Sequence, residues 1–172
     1  DFDAFDANLA NVVMRDENSN AAAATFTLND LGATLAGNGK LVLKHSVSET
    51  VAGTDAVVVA NLKDGSGATD TVALTVQNDL NVNTQFDYTL TAGGTAATNK
   101  VENVTLNDND TESNIATLTN AQYHTGTVTL TGGTALKTFT VANALVAATV
   151  DGSTQLSDLR LSMGDTLAPV VN

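Results

Sequence analysis

Val104-Thr105-Leu106, Ala116-Thr117-Leu118, Val128-Thr129-Leu130, Phe139-Thr140-Val141 and Ala148-Thr149-Val150 share one pattern, a threonine between two apolar residues. Leu159-Arg160-Leu161 repeats it with arginine in the middle. The starts of these six triplets lie 12, 12, 11, 9 and 11 residues apart. Side chains alternate between faces in an extended chain, so each triplet sends two apolar groups one way and one polar group the other. One triplet cannot bury its apolar face alone. Six at near-constant spacing predict short strands stacked on one another, the logic of a repeat or solenoid.

Upstream, Thr25-Phe26-Thr27-Leu28 carries the same signature, and Lys40 to Lys44 reads as a strand after the turn residues Gly37-Asn38-Gly39. Ala56-Val57-Val58-Val59-Ala60 is apolar on both faces, as a strand covered on two sides should be, and Thr71 to Val76 follows it. The segment between these two runs suits either a looped hairpin or a solenoid corner, and the sequence leaves both open. Asn8, Asn11, Asn18 and Asn20 argue against a long helix near the start, where a short strand or a broken turn is expected.

The expected fold class is therefore all-β: a β-solenoid of the parallel β-helix kind with short stacked strands, with room for an antiparallel pair in the N-terminal half. Residues 1–53 are read as an N-terminal β segment of the same solenoid, 54–163 as the β-solenoid domain, and 164–172 as a linker to a downstream domain. That last stretch holds the only proline, Pro169, after Gly164-Asp165.

A length of 172 residues is enough to bury a core, and the apolar set is mainly alanine, valine and leucine, which suits narrow, layered interiors. A net charge of −12 argues against nucleic acid and anionic lipid as partners and fits divalent cations. The absence of cysteine excludes disulfides and thiolate chemistry. No apolar run reaches the 18 residues that a membrane-spanning helix needs. The chain opens on Asp1 rather than Met, and a processed form or a piece of a longer protein is expected.

The order Thr54 to Val59, Ala68 to Leu74, Val101 to Leu106, Leu136 to Val141 and Val150 to Ser153 resembles bacterial surface-layer proteins of the type related to the calcium-binding repeats-in-toxin (RTX) secreted proteins. The resemblance implies a threonine-, alanine- and asparagine-rich β-solenoid at the bacterial cell surface, assembling with copies of itself and organised by calcium. The glycine-rich RTX nonapeptide is missing: Gly93-Gly94-Thr95-Ala96 and Gly132-Gly133-Thr134-Ala135 both lack its third Gly and its Asp. Any calcium is thus expected in irregular loops.

Calcium takes six to eight oxygen ligands. The densest oxygen cluster is Asn107-Asp108-Asn109-Asp110-Thr111-Glu112, which makes Asp108, Asp110 and Glu112 the first candidate ligands. Asp64 and Asp70 form a second candidate loop, and Asp1, Asp3 and Asp6 a third. Solvated turns favour the same Asn and Asp residues, so each group has a purely structural reading too. His45 and His124 are the only histidines, and neither stands in a triad pattern. The pairs Thr117/Thr119, Thr127/Thr129 and Thr138/Thr140 suggest a water-ordering face, but the uneven triplet spacing predicts that no flat, regular lattice forms. The leading expectation is a non-enzymatic structural protein of a calcium-dependent extracellular surface layer. The alternatives are an adhesin stalk or glycan-binding module that meets cell-surface polysaccharide and, third, a polysaccharide-active enzyme.

Overall fold

A computed structural model describes residues 9–17, 22–37, 39–48, 53–79, 82–94, 100–133, 135, 137–142, 145–146, 149–163 and 170–171. Their strands fall into two sheets. The odd sheet runs β1 (Val12–Asp16), β3 (Leu41–His45), β5 (Thr71–Asn78), β7 (Asn103–Asp108), β9 (Thr127–Gly132), β11 (Thr149–Asp151) and β13 (Val170–Val171). The even sheet runs β2 (Ala24–Leu31), β4 (Ala56–Leu62), β6 (Asp87–Ala92), β8 (Ile115–Thr119), β10 (Lys137–Val141) and β12 (Leu159–Met163). Every strand pairs in parallel with the strand two places along the chain. The chain therefore alternates between sheets, making one strand in each per coil. This is a parallel β-solenoid.

All six triplets lie on strands, β7 to β12 in turn (Ala148 is outside the described residues). Their spacing of about eleven residues is therefore half a coil, because consecutive triplets belong to facing sheets. The antiparallel pair is corrected: β4 and β5 lie in different sheets, and the loop between them is a solenoid corner. A hairpin there would have exposed one face of Ala56–Leu62, whereas Ala56, Val58 and Ala60 are fully buried. Strands β1, β2 and β3, from the stretch before residue 54, pair directly with later coils, and Val170–Val171 pairs with β11.

Coil length shrinks along the chain. The step between paired residues is 33 from Leu41 to Leu74 and 32 from Leu74 to Leu106. It falls to 24 from Leu106 to Leu130 and 22 from Val128 to Val150. The corners absorb the difference while the strands stay in register. Two short helical pieces occupy corners, α1 (Ala33–Gly37) and a 3-10 turn at Ala121–Tyr123.

The core is a set of stacks running from coil to coil. Leu41, Leu74, Leu106 and Leu130 stand in register on the odd sheet, and all are buried. On the even sheet the stack Ala56, Tyr88, Ala116, Phe139 alternates small and large, which leaves room for each ring between two methyl groups. Threonines of the triplets point outward and also align: Thr25, Val57, Thr89, Thr117 and Thr140 form one column, and Thr27, Val59, Thr91 and Thr119 a second. The expectation that uneven spacing prevents a regular lattice of threonines is thus overturned.

Candidate functional site

The corner where odd strands end and even strands begin is polar inside. Asp16, His45 and Asn78 close β1, β3 and β5 at one register position. Asp110, two residues past Asp108, continues that column, since Asp108 pairs with Val76. Asp16, His45 and Asp110 are wholly buried, as is Asn114 at 1% exposure. His45 Nδ1–H donates to Asp110 Oδ2 at 2.9 Å, and the His45 ring stacks on Phe86 with centroids 4.6 Å apart. Asn78 Nδ2 donates to Asp110 Oδ1 at 3.0 Å. Asn114 Nδ2 reaches Asp108 Oδ1 and Oδ2 and Asp110 Oδ2, each at 3.2 Å, while its Oδ1 accepts the Phe86 N–H.

Lys137, 5% exposed, enters the same corner from β10. Its Nζ donates to the carbonyls of Asp110 and Glu112 at 2.7 and 2.6 Å and lies 3.1 Å from Asp108 Oδ1. Its three protons thus have three acceptors. Tyr88 Oη adds a hydrogen bond to Asp108 Oδ2 at 3.2 Å. Burial pushes the Asp108 carboxyl up against the Lys137 ammonium that pulls it down. Burial acts on Asp110 too, yet hydrogen bonds from His45, Asn114 and Asn78 bring it down to about 2.

These facts decide how the Asn107–Glu112 loop fits calcium. Asp108 and Asp110 are brought together, but their oxygens face a lysine ammonium, an imidazole, two side-chain amides and a phenol. A calcium ion there would have to displace Lys137 and His45 from buried positions. Glu112 is half-exposed, and its Oε1 accepts from Thr111 Oγ1. The loop does not fit the ion. Asp64 lies in an exposed turn with Oδ1 accepting from the Ser66 N–H and Oγ–H, and Asp151 makes the same turn with Ser153. Those hydrogen bonds lower the carboxyls of both. Asp70 takes part in the opposite corner instead: its N–H donates to Glu102 Oε2, and its carbonyl accepts from Glu102 and Asn103. Asp1, Asp3 and Asp6 lie outside the described residues. Among the described residues no three His, Asp or Glu side chains gather as metal ligands. Thermal melts in chelator and in millimolar calcium are accordingly expected to coincide; a clear rise with calcium would show that carboxylates of the fold take the ion.

Sequence reading missed His45, Asn78, Tyr88, Asn114 and Lys137 as members of this network. Asp16, His45 and Asn78 each end an apolar run. Their common position emerges only when coils of unequal length are superposed.

At the even-strand side of the corner, Asp55 Oδ2 accepts the Asp87 N–H at 2.6 Å, and Asp87 Oδ1 accepts the Ile115 N–H at 3.1 Å. Each carboxylate thus ties its own coil to the next. Burial pushes the Asp55 carboxyl up to about 6 against the hydrogen bond from Asp87, and the charges of Asp87 and Asp16 push the same way as burial. Folding therefore favours protonated Asp55. Its contribution is complete below the usual carboxylate value of 3.8 and is lost as pH rises through 6. Asp110 has the opposite sign, contributing above 3.8 and losing that contribution as pH falls through 2. Stability is expected to crest near pH 4 and decline towards neutrality. Asp55→Asn retains the acceptor for Asp87 and should flatten the decline, raising stability at pH 7 by about 1–2 kcal/mol after allowance for solvent screening. Urea midpoints at pH 4 and 7 check this; an unchanged slope in the variant would remove Asp55 from the account.

The Asp110–His45 pair extends to Thr84, whose Oγ1 is 3.5 Å from His45 Nε2. The order of groups is that of an acid–base relay, but His45 has no exposed surface and lies against Phe86. The interior cavity beside Tyr88, Asp108 and Lys137 measures about 20 Å³, room for roughly one water. The corner is built to hold coils together. No helix among the described residues is long and apolar enough to cross a membrane.

Fold and corner together define a parallel, two-sheet β-solenoid with a buried polar spine. Comparison with protein-family models, curated proteins and solved structures finds no match to this chain.

Proposed function

We propose that this chain is a structural segment of an extracellular bacterial surface layer that assembles from copies of itself, and not an enzyme. One observation carries the reading. The two outward columns of the even sheet contain only threonine and valine over four to five successive coils, in a chain of net charge −12. A flat face free of ionisable groups lets copies approach without the repulsion that the acidic corners impose. Two threonines of adjacent coils already bond there, Thr91 Oγ1 to Thr119 Oγ1 at 2.6 Å. Parallel sheets normally have both faces covered, and here only the inner one is covered by the fold itself. Calcium dependence, implied by the resemblance, belongs in this reading to contacts between copies rather than to the fold.

Electron microscopy of the purified chain with and without calcium tests the proposal. Sheets or filaments are expected, and Thr89→Lys/Thr117→Lys should disperse them while leaving the monomer's thermal melt in place. Dispersed particles at every calcium concentration, or assembly indifferent to the two lysines, would sink it.

A further inference from the structure

The outer face of the odd sheet carries a different surface. Arg15, Lys44 and Gln77 stand in one register column on β1, β3 and β5. Asn109 continues the column, donating its backbone N–H to the Val76 carbonyl at 2.9 Å. Thr75 and Asn107 pair in the neighbouring column. These side chains line a cleft of about 490 Å³, a volume typical of ligand sites. Strands are about 4.8 Å apart, so the donors recur at a short, constant interval along the solenoid axis.

The charge of the cleft opposes that of the chain. Only seven residues are lysine or arginine against 19 acidic ones, yet two of the seven meet here. Arg15 is held by Asp79 at the rim. The Lys44 ammonium has no ion-pair or hydrogen-bond partner among the described residues.

We propose that this cleft binds an extended acidic polysaccharide of the uronate type. Lys44 and Arg15 take carboxylates of the polymer as charge-assisted hydrogen bonds. The amides of Gln77, Asn107 and Asn109 each offer a donor and an acceptor, which matches sugar hydroxyls. An acidic peptide would use only the donors, so the amide column favours the glycan. The ligand lies along the solenoid axis, crossing one strand per step. This inference is independent of the surface-layer reading, because it concerns the single chain and the opposite face.

Binding of the purified chain to polygalacturonate, measured by affinity electrophoresis at low and physiological salt, tests it. Wild type should be retained, more strongly at low salt. Lys44→Gln alone should weaken binding, and Arg15→Gln/Lys44→Gln should weaken it about tenfold or more, with Thr117→Ser on the opposite face as an unchanged control. A thermal melt of each variant separates lost binding from lost fold. The proposal is overturned if wild type is not retained, if neutral dextran or poly-glutamate is retained equally, or if folded Lys44→Gln binds as wild type does.

Discussion

Replacing Lys137 with methionine is expected to remove about 3–5 kcal/mol of folding stability, the usual cost of leaving a buried ion without its partner. The methionine fills similar volume, so packing around Phe139 changes little, and the loss is electrostatic. Asp108 would keep its bonds from Tyr88 and Asn114 but would lose the only cation beside it. The carbonyls of Asp110 and Glu112 would lose their lysine donor too. Adding Asp108→Asn removes the unpaired charge and should restore a large part of the loss, though not the part owed to the two carbonyls. Urea unfolding of the four proteins of this double-mutant cycle gives the coupling directly. A loss below about 1 kcal/mol in Lys137→Met would mean that the ammonium does not stabilise the corner.

Gly132→Ala is expected to be damaging for a different reason. Gly132 ends β9 opposite Asp108 with φ of 148°, and a Cβ there would overlap the Asp108 carbonyl oxygen and its neighbouring backbone atoms. Backbone cannot swing aside as a long side chain can, so the two coils would have to part at the corner that Lys137 and Asn114 close. A cost of about 3 kcal/mol or more follows, at the upper end for a single substitution. Gly53→Ala is the control. It has a similar φ of 152° but no atom within 4 Å of the added carbon, so only the conformational term remains, about 1 kcal/mol. Thermal melts that rank the two variants equally would show that backbone conformation, not the contact with Asp108, governs the Gly132 site.

Gly132-Gly133 illustrates how sequence reading and structure differ. As a motif, the pair is an incomplete nonapeptide and carries no calcium logic. In the fold, it lets one coil approach the Asp108–Asp110 backbone of the coil before it, with the Gly133 N–H donating to the Asp108 carbonyl at 2.7 Å. The loop at Asn107–Glu112 shows the same difference. Its composition was legible as an oxygen-rich turn, but side chains remote in sequence decide its chemistry. His45 is 65 residues from Asp110 and Lys137 is 27 residues from it.

The sequence by itself determined the local pattern: triplets such as Val104-Thr105-Leu106 and Val128-Thr129-Leu130 must be strands with apolar residues facing inward, because a period of two with turn residues between admits little else. It also determined the solenoid class, since such short strands can bury their faces only by stacking. The tertiary structure decided the coil period, because successive triplets belong to opposite sheets and the corners absorb 21 to 33 residues per turn without disturbing register. It alone decided that Asp108 and Asp110 face Lys137 and His45. Parallel stacking brings residues a full coil apart to the same height, and burial then requires each carboxylate to find donors among them.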